Sequence, residues 1–126
     1  MTAIGQDSLG TRQTLDVNGK QYAYYSLAKA AEQLGDISKL PISMKVLLEN
    51  LLRFEDGGFT VGREHIQAIV DWQANPTTGE EIQYRPARVL LQDFTGVPCV
   101  VDLAAMRDAI KKLGGDTAKI NPLVPV

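Results

Sequence analysis

The chain has 126 residues, of which 44% are hydrophobic and 22% are charged, and its formal net charge is −2. This composition excludes a largely disordered chain, a collagen-like fibre and a coiled coil, and the length suits one compact domain. The slight acidic excess disfavours binding to nucleic acid, because domains that bind phosphate groups usually carry a basic excess. No apolar run approaches the roughly 18 residues that a membrane span needs, so no membrane partner is predicted.

The first structural signal is a turn that follows a polar segment. Residues 1–13 are polar and are interpreted as a flexible lead-in. Asn18-Gly19 suits a type I′ turn, because both central positions of that turn need a positive φ angle, and a β-hairpin is predicted over residues 15–25. The hairpin places four apolar side chains on one face: Leu15, Val17, Tyr22 and Tyr24. We expect that face to pack against the rest of the domain rather than to stack RNA bases.

Three helices are predicted next, over residues 27–34, 41–54 and 61–72, because apolar residues recur there at helical spacing. Ser26 is expected to cap the first helix, and Gly35 to end it. Pro41 suits the first turn of the second helix, and Thr60 is a candidate cap for the third.

The single histidine and the single cysteine, His65 and Cys99, cannot form a zinc site of the usual spacing. One cysteine cannot close a disulfide within the chain, which fits the reducing cytoplasm. His65 lies beside the apolar stripe of the third predicted helix without other groups of a catalytic constellation nearby. We therefore expect His65 to have a structural or surface role.

The last third of the chain predicts a strand, a polar loop and a helix, which is half of a βαβ unit. A loop over residues 75–79 and a short strand over 81–84 precede it. The strand is predicted near residues 88–92, the loop over 92–97, and the helix over 98–113, with four side chains toward the sheet: Val101, Ala105, Ile110 and Leu113. Ligands of such folds bind beyond the carboxyl ends of the strands, which makes Gln92 and Asp93 the best-placed polar residues. The chain ends where a second parallel strand would be expected, so we interpret it as a fragment of a larger protein.

The segment RPARVLLQDFTGVP at residues 85–98 continues as VVDLAAMRDA at 100–109. Shorter segments accompany it in order: YYSL at 24–27, LP at 40–41, VLLEN at 46–50, KKLGGD at 111–116 and KINP at 119–122. Together they resemble the start of domain 1 in the aconitase family, most closely its branch of bacterial aconitase A and cytosolic iron-regulatory proteins. The resemblance implies that residues 14–126 are the N-terminal part of that domain.

The resemblance implies an α/β fold, in which an N-terminal β-hairpin and helices lead into the first strand–loop–helix unit of domain 1. It implies that the full-length protein is a hydro-lyase of the tricarboxylic acid cycle that interconverts citrate and isocitrate through cis-aconitate. Three cysteines of the family hold a [4Fe–4S] cluster, whose open iron acts as a Lewis acid toward the substrate's hydroxyl and carboxylate. Nearly all of the family's site residues lie beyond Val126, so this chain alone is expected to bind no cluster and to be inactive.

One substrate-binding residue of the family falls within the chain, because its loop glutamine matches Gln92. A neutral amide can donate to a carboxylate or accept from a hydroxyl without changing the net charge of the site. Asp93 and Thr95 are expected to be supporting loop residues. The resemblance assigns no catalytic residue and no metal ligand to this chain, since Cys99 does not match a cluster cysteine.

Three other functions remain open at this point. A dehydratase acting on 2-methylcitrate belongs to the same superfamily, and its distinguishing residues would lie outside the chain. The parent protein could bind RNA, because some relatives bind messenger RNA when they lose the cluster. The chain could also be an autonomous interaction module, if its ending is natural. In the leading interpretation the enzyme is cytoplasmic, and the chain's partners are the remaining aconitase domains.

Overall fold

The structure, a computed structural model, describes residues 4–76 and 79–126. Within them the chain forms two antiparallel strands, four α-helices and one 3₁₀ helix, which is an α/β mixture as expected. In chain order they are β1 (Arg12–Val17), β2 (Lys20–Tyr25), α1 (Leu27–Leu34), α2 (Ile42–Phe54), α3 (Arg63–Asp71), α4 (Asp93–Lys112) and the 3₁₀ helix Thr117–Lys119. The chain divides into two compact units, Met1–Arg85 and Pro86–Val126.

The hairpin is confirmed with its predicted register, in which Leu15 pairs with Tyr22 and Val17 with Lys20. Asn18 and Gly19 both have positive φ angles, 53° and 78°. The Gly19 N–H donates to Asp16 Oδ1 at 3.0 Å, which closes the turn. The expected packing of the apolar face is wrong for this chain, because all four of its side chains are exposed. The hairpin is held to the core by its last residue, Tyr25, which is buried.

The helices of the first unit surround one hydrophobic core. α1 has the predicted bounds: the Lys29 N–H donates to Ser26 Oγ at 3.3 Å, and Gly35 ends the helix with φ 97°. α2 begins one residue later than predicted, because Pro41 is its N-cap. The core consists of thirteen buried residues: Leu9, Tyr25, Ala30, Leu34, Ile37, Leu40, Leu48, Leu51, Leu52, Val61, Ile66, Ile69 and Val70.

The third helix is shorter than the predicted span, and its cap differs. α3 begins at Arg63, with Gly62 as N-cap. Thr60 does not cap it, because both its N–H and its hydroxyl donate to Asp56. The Gly62 N–H donates to His65 Nδ1 at 2.9 Å, so the His65 imidazole satisfies a backbone donor at the helix start. His65 therefore has the expected structural role.

The described part of the polar N-terminal segment packs against the first unit, which corrects its interpretation as a flexible lead-in. Leu9 and Thr11 are buried, and β1 already begins at Arg12. Asp7 accepts hydrogen bonds from the Thr11 N–H, the Thr11 hydroxyl and the Arg12 N–H. The Ser8 hydroxyl and N–H both donate to the buried carboxylate of Glu55. The Ser8–Glu55 bonds could not be predicted from polarity alone, because they join residues 47 positions apart.

The second unit differs most from its prediction. Residues 81–84 and 88–92 form no strand, and Leu90 is 94% exposed. The Val89 N–H donates to the Pro125 carbonyl at 2.9 Å. One such bond does not make a ladder, and a parallel strand needs neighbours that the described residues do not supply. Of the predicted loop over 75–79, residues 77 and 78 lie outside the described residues.

The last helix begins five residues earlier than predicted, at Asp93 rather than Pro98. Pro98 lies inside α4, where it removes one backbone hydrogen bond. The predicted inward face is wrong as well: Ile110 is half-buried, and Val101, Ala105 and Leu113 are exposed. α4 has no buried residue along its length.

In this chain the amides of α4 are expected to exchange with solvent faster than those of α2. α4 buries no side chain, whereas α2 buries Leu48, Leu51 and Leu52. Local opening is easiest where few apolar contacts must be broken. Residue-resolved hydrogen exchange checks this, with α2 as the control in the same sample. Equal protection of the two helices would contradict the expectation.

Candidate substrate-binding site

The candidate site is the N-terminus of α4, where Gln92 is the N-cap. The Gln92 Oε1 atom accepts a hydrogen bond from the Phe94 N–H at 2.5 Å. The Gln92 carbonyl accepts from the Gly96 N–H at 2.8 Å and from the Thr95 hydroxyl at 3.4 Å. Three interactions thus fix both the backbone and the side chain of Gln92. This explains why the helix begins at Asp93 instead of after the predicted loop.

The capping bond determines which end of the Gln92 amide is available to a ligand. Because Oε1 accepts from Phe94, the Nε2 group, with its two N–H donors, is left for other partners. Among the described residues Nε2 has no hydrogen-bond partner, and the side chain is exposed. Gln92 is therefore oriented as a donor, which suits an anionic oxygen.

Asp93 and Thr95 lie in the first turn of α4 and not in a loop. The Asp93 carboxylate interacts favourably with the positive end of the helix dipole. The same negative charge disfavours a second anion close by. An anionic ligand at Gln92 therefore needs positive charge from outside this turn. The Thr95 hydroxyl donates to the Gln92 carbonyl within the same turn.

A groove of about 560 Å³ lies beside these residues, within the second unit. Its lining is Leu91, Gln92, Asp93, Gly96, Val97, Val100, Val101 and Val126. Aliphatic side chains predominate, and only Gln92 and Asp93 of this set are polar. A ligand with several carboxylates would lose its hydration in such a groove without compensation. The part suited to a polar ligand is therefore its Gln92 end.

A polar cluster in the first unit was not predicted from the sequence. Its members are Asn50, Asp56, Thr60 and Arg85. The Asn50 side chain donates to the Arg85 carbonyl at 2.8 Å and accepts from the Arg85 N–H at 3.0 Å. The Arg85 guanidinium donates to Thr60 Oγ1 at 2.6 Å and to Asp56 Oδ2 at 3.3 Å. The cluster joins residues 35 positions apart, so local sequence patterns carry no signal for it.

The Asp56 carboxylate is the acceptor at the centre of this cluster. It is buried, and it accepts from the Thr60 hydroxyl at 2.6 Å, the Thr60 N–H at 2.8 Å and the Val61 N–H at 2.9 Å. These bonds, with a smaller contribution from the Arg85 charge, lower the pKa of Asp56 from 3.8 to about 2. The cluster is thus a structural anchor for the end of the first unit.

Cys99 is the only cysteine of the chain, and it lies half-buried in α4. Within residues 4–76 and 79–126, no three histidine, cysteine or carboxylate side chains come together in a way that could hold a metal ion. No step of a reaction is therefore assigned to an iron–sulfur cluster in this chain.

The comparisons with known proteins decide the family. The sequence model of the aconitase family (aconitate hydratase) matches residues 64–126, which is half of the chain and includes Gln92 and α4. The chain belongs to the aconitase family. The matched region begins at α3, so the hairpin, α1 and α2 of this aconitase segment lie before it.

Relatives called aconitate hydratase A match nearly the whole chain. The protein of Pseudomonas aeruginosa is 62% identical over 95% of this chain, and that of Escherichia coli is 62% identical over 92%. The protein of Bradyrhizobium diazoefficiens is 60% identical over the full chain. The chain spans only 13–14% of the length of these relatives. No solved structure gives a significant match to the chain.

None of the helices in the described part of this aconitase chain has the length and apolar character needed to cross a membrane. The longest, α4, has 20 residues and carries charged side chains along its length.

Proposed function

We propose that the chain is the N-terminal segment of an aconitate hydratase, which interconverts citrate and isocitrate through cis-aconitate, and that residues 14–126 belong to its domain 1. The observation that carries this proposal is the 62% identity to aconitate hydratase A over 92–95% of the chain. The names of these relatives favour an aconitate hydratase over a 2-methylcitrate dehydratase, an RNA-binding regulator or an autonomous module. A cytoplasmic location is part of the proposal, and the single cysteine supports it.

In this proposal Gln92 binds the substrate, and no residue of the chain is catalytic. The amide would donate from Nε2 to a carboxylate of the tricarboxylate while its Oε1 atom stays bound to the Phe94 N–H. The orientation described above supports this role, because it leaves donors toward the ligand. Asp93 and Thr95 would hold the helix start in place without touching the substrate.

The [4Fe–4S] cluster of the full-length enzyme would be bound by residues outside this chain. The isolated chain is therefore expected to bind no cluster and to hydrate no cis-aconitate after incubation with iron and sulfide under reducing conditions. Visible absorption and a hydration assay check this, with full-length Escherichia coli aconitate hydratase A as the positive control. A stoichiometric cluster or turnover above the buffer blank would contradict it.

A chimaera tests the proposed function directly. The chimaera is Escherichia coli aconitate hydratase A in which this chain replaces the matching segment. We expect it to convert citrate to isocitrate at a rate within about tenfold of the parent enzyme. A segment that is 62% identical to the one it replaces should keep the same fold. The parent enzyme without this segment is the control and should be inactive. A folded, cluster-bearing chimaera without turnover, or one that prefers 2-methylcitrate, would overturn the proposal.

A further inference from the structure

We propose that the apolar side of the hairpin is a docking surface for the remainder of the same polypeptide. This surface, called the hairpin face below, consists of Leu15, Val17, Tyr22 and Tyr24. The proposal rests on the proposed function, since it takes the chain to be one segment of a longer enzyme. It adds the surface through which the segment would contact the rest.

The hairpin face is exposed although its side chains are those of a packed sheet. The exposed fractions are 53% for Leu15, 45% for Val17, 49% for Tyr22 and 42% for Tyr24. Their cross-strand register brings all four to one side of the two-stranded sheet, where Gln13 and Lys20 lie beside them. An exposed apolar patch of neighbouring large side chains is typical of an interaction site.

The opposite side of the hairpin has a different composition. By the same register it carries the exposed residues Arg12, Thr14, Asp16, Gln21 and Ala23, and at its base the buried Tyr25. Alternation of apolar and polar residues along a strand indicates one side toward a protein surface and one toward water. The opposite side is anchored at its base by Tyr25 and otherwise faces water, whereas the hairpin face has no cover among the described residues.

The base of the hairpin fixes the direction in which this face points. Tyr25 is buried at the end of β2, and the Arg53 guanidinium lies 5.0 Å from the centre of its ring. The Ser26 N–H donates to the Thr11 carbonyl at 2.8 Å, which ties the two strand ends together. A two-stranded hairpin is only marginally stable without cover on one face. The fold thus presents a fixed apolar face that requires a partner.

The length of the relatives points to the occupant. The aconitate hydratase A relatives match the chain over 92% or more of its length, so their matched regions include most of the first unit. This chain is only 13–14% of their length. In the proposed full-length enzyme, a later part of the same polypeptide is available to cover the face in every molecule. Its contact surface would combine apolar side chains with acceptors for the two tyrosine hydroxyls.

Hydrogen exchange of the hairpin amides tests the proposal in two proteins, the chimaera and the isolated chain. We expect exchange at least about tenfold slower in the chimaera, because the covering polypeptide suppresses local opening. The double variant Leu15→Lys/Tyr24→Lys should reduce this difference to less than about twofold. The matched control Thr14→Lys/Gln21→Lys adds the same charge on the opposite side and should leave the difference intact.

Three outcomes would overturn the proposal. The proposal would be overturned if the hairpin amides exchanged equally fast in the chimaera and in the isolated chain. An equal reduction of the difference in exchange by both double variants would also overturn it. So would an isolated chain that sediments as a dimer and becomes a monomer through Leu15→Lys/Tyr24→Lys, since a second copy would then be the occupant. The isolated chain with these substitutions shows whether the hairpin still forms. Because turnover is not measured, a chimaera inactive on citrate leaves this test valid.

Discussion

Replacing Gln92 with alanine in the chimaera is expected to lower kcat/KM for isocitrate by roughly tenfold to a hundredfold. The variant loses one hydrogen bond from Nε2 to a charged carboxylate, and such bonds contribute about 1.5–3 kcal/mol. The visible absorption of the cluster should stay unchanged, because Gln92 is not an iron ligand in this account. Steady-state kinetics, read together with that absorption, provides the measurement.

Two further variants separate substrate binding from helix capping. Gln92→Ser keeps an N-cap oxygen but removes the distal amide, so it should lose as much kcat/KM as alanine. Gln92→Glu keeps the length and the capping oxygen but replaces the donor with a negative charge. It should therefore be at least as impaired as alanine. Full activity of Gln92→Ser would show that Gln92 acts only as a cap, and full activity of Gln92→Glu would exclude donation to a carboxylate.

The second large effect is expected at the buried carboxylate of the first unit. Asp56→Asn replaces Oδ2 or Oδ1 with an NH₂ group that faces donors of Thr60, Val61 or Arg85. At least one buried donor then loses its acceptor, and the Arg85 charge loses its counter-ion. We expect the thermal midpoint of the first unit to fall by about 10 °C or more. Asp108→Asn, the same change at an exposed position, is the control and should leave the midpoint unchanged.

The same carboxylate predicts a pH dependence of the chain's stability. The pKa of Asp56 in the folded chain is about 2, below its ordinary value of 3.8. A lowered pKa stabilises the folded state above pH 3.8, and this stabilisation is lost as the pH falls from about 4 to 2. Urea unfolding across this range checks the prediction. The pH dependence should be smaller in Asp56→Asn, and an unchanged dependence would assign it to other carboxylates.

Local signals in the sequence were sufficient for the elements that local bonds define. Asn18-Gly19 determines the hairpin and its register, since the turn geometry allows few alternatives. Ser26 and Gly35 define both ends of α1. Gln92 follows an apolar segment, as predicted, although that segment is not a strand and Gln92 caps a helix instead of opening a loop.

Most of the errors share one physical cause, because the interactions that were missed join distant residues. A parallel strand near residues 88–92 requires neighbouring strands, and its apolar sequence cannot form one without them. The Asp56–Arg85 pair and the Ser8–Glu55 bonds join positions 29 and 47 residues apart. The early start of α4 depends on a glutamine cap, which is not among the side chains preferred at that position. The substrate role of Gln92 was inferred from its place after a predicted strand and from the family resemblance, and it stays a prediction.

The most direct measurement is a crystal structure of the chimaera with isocitrate bound. We expect the Gln92 Nε2 atom to lie about 2.7–3.2 Å from a carboxylate oxygen of isocitrate, with Oε1 still accepting from the Phe94 N–H. A bound isocitrate with all of its oxygens more than about 4 Å from the Gln92 side chain would contradict the account.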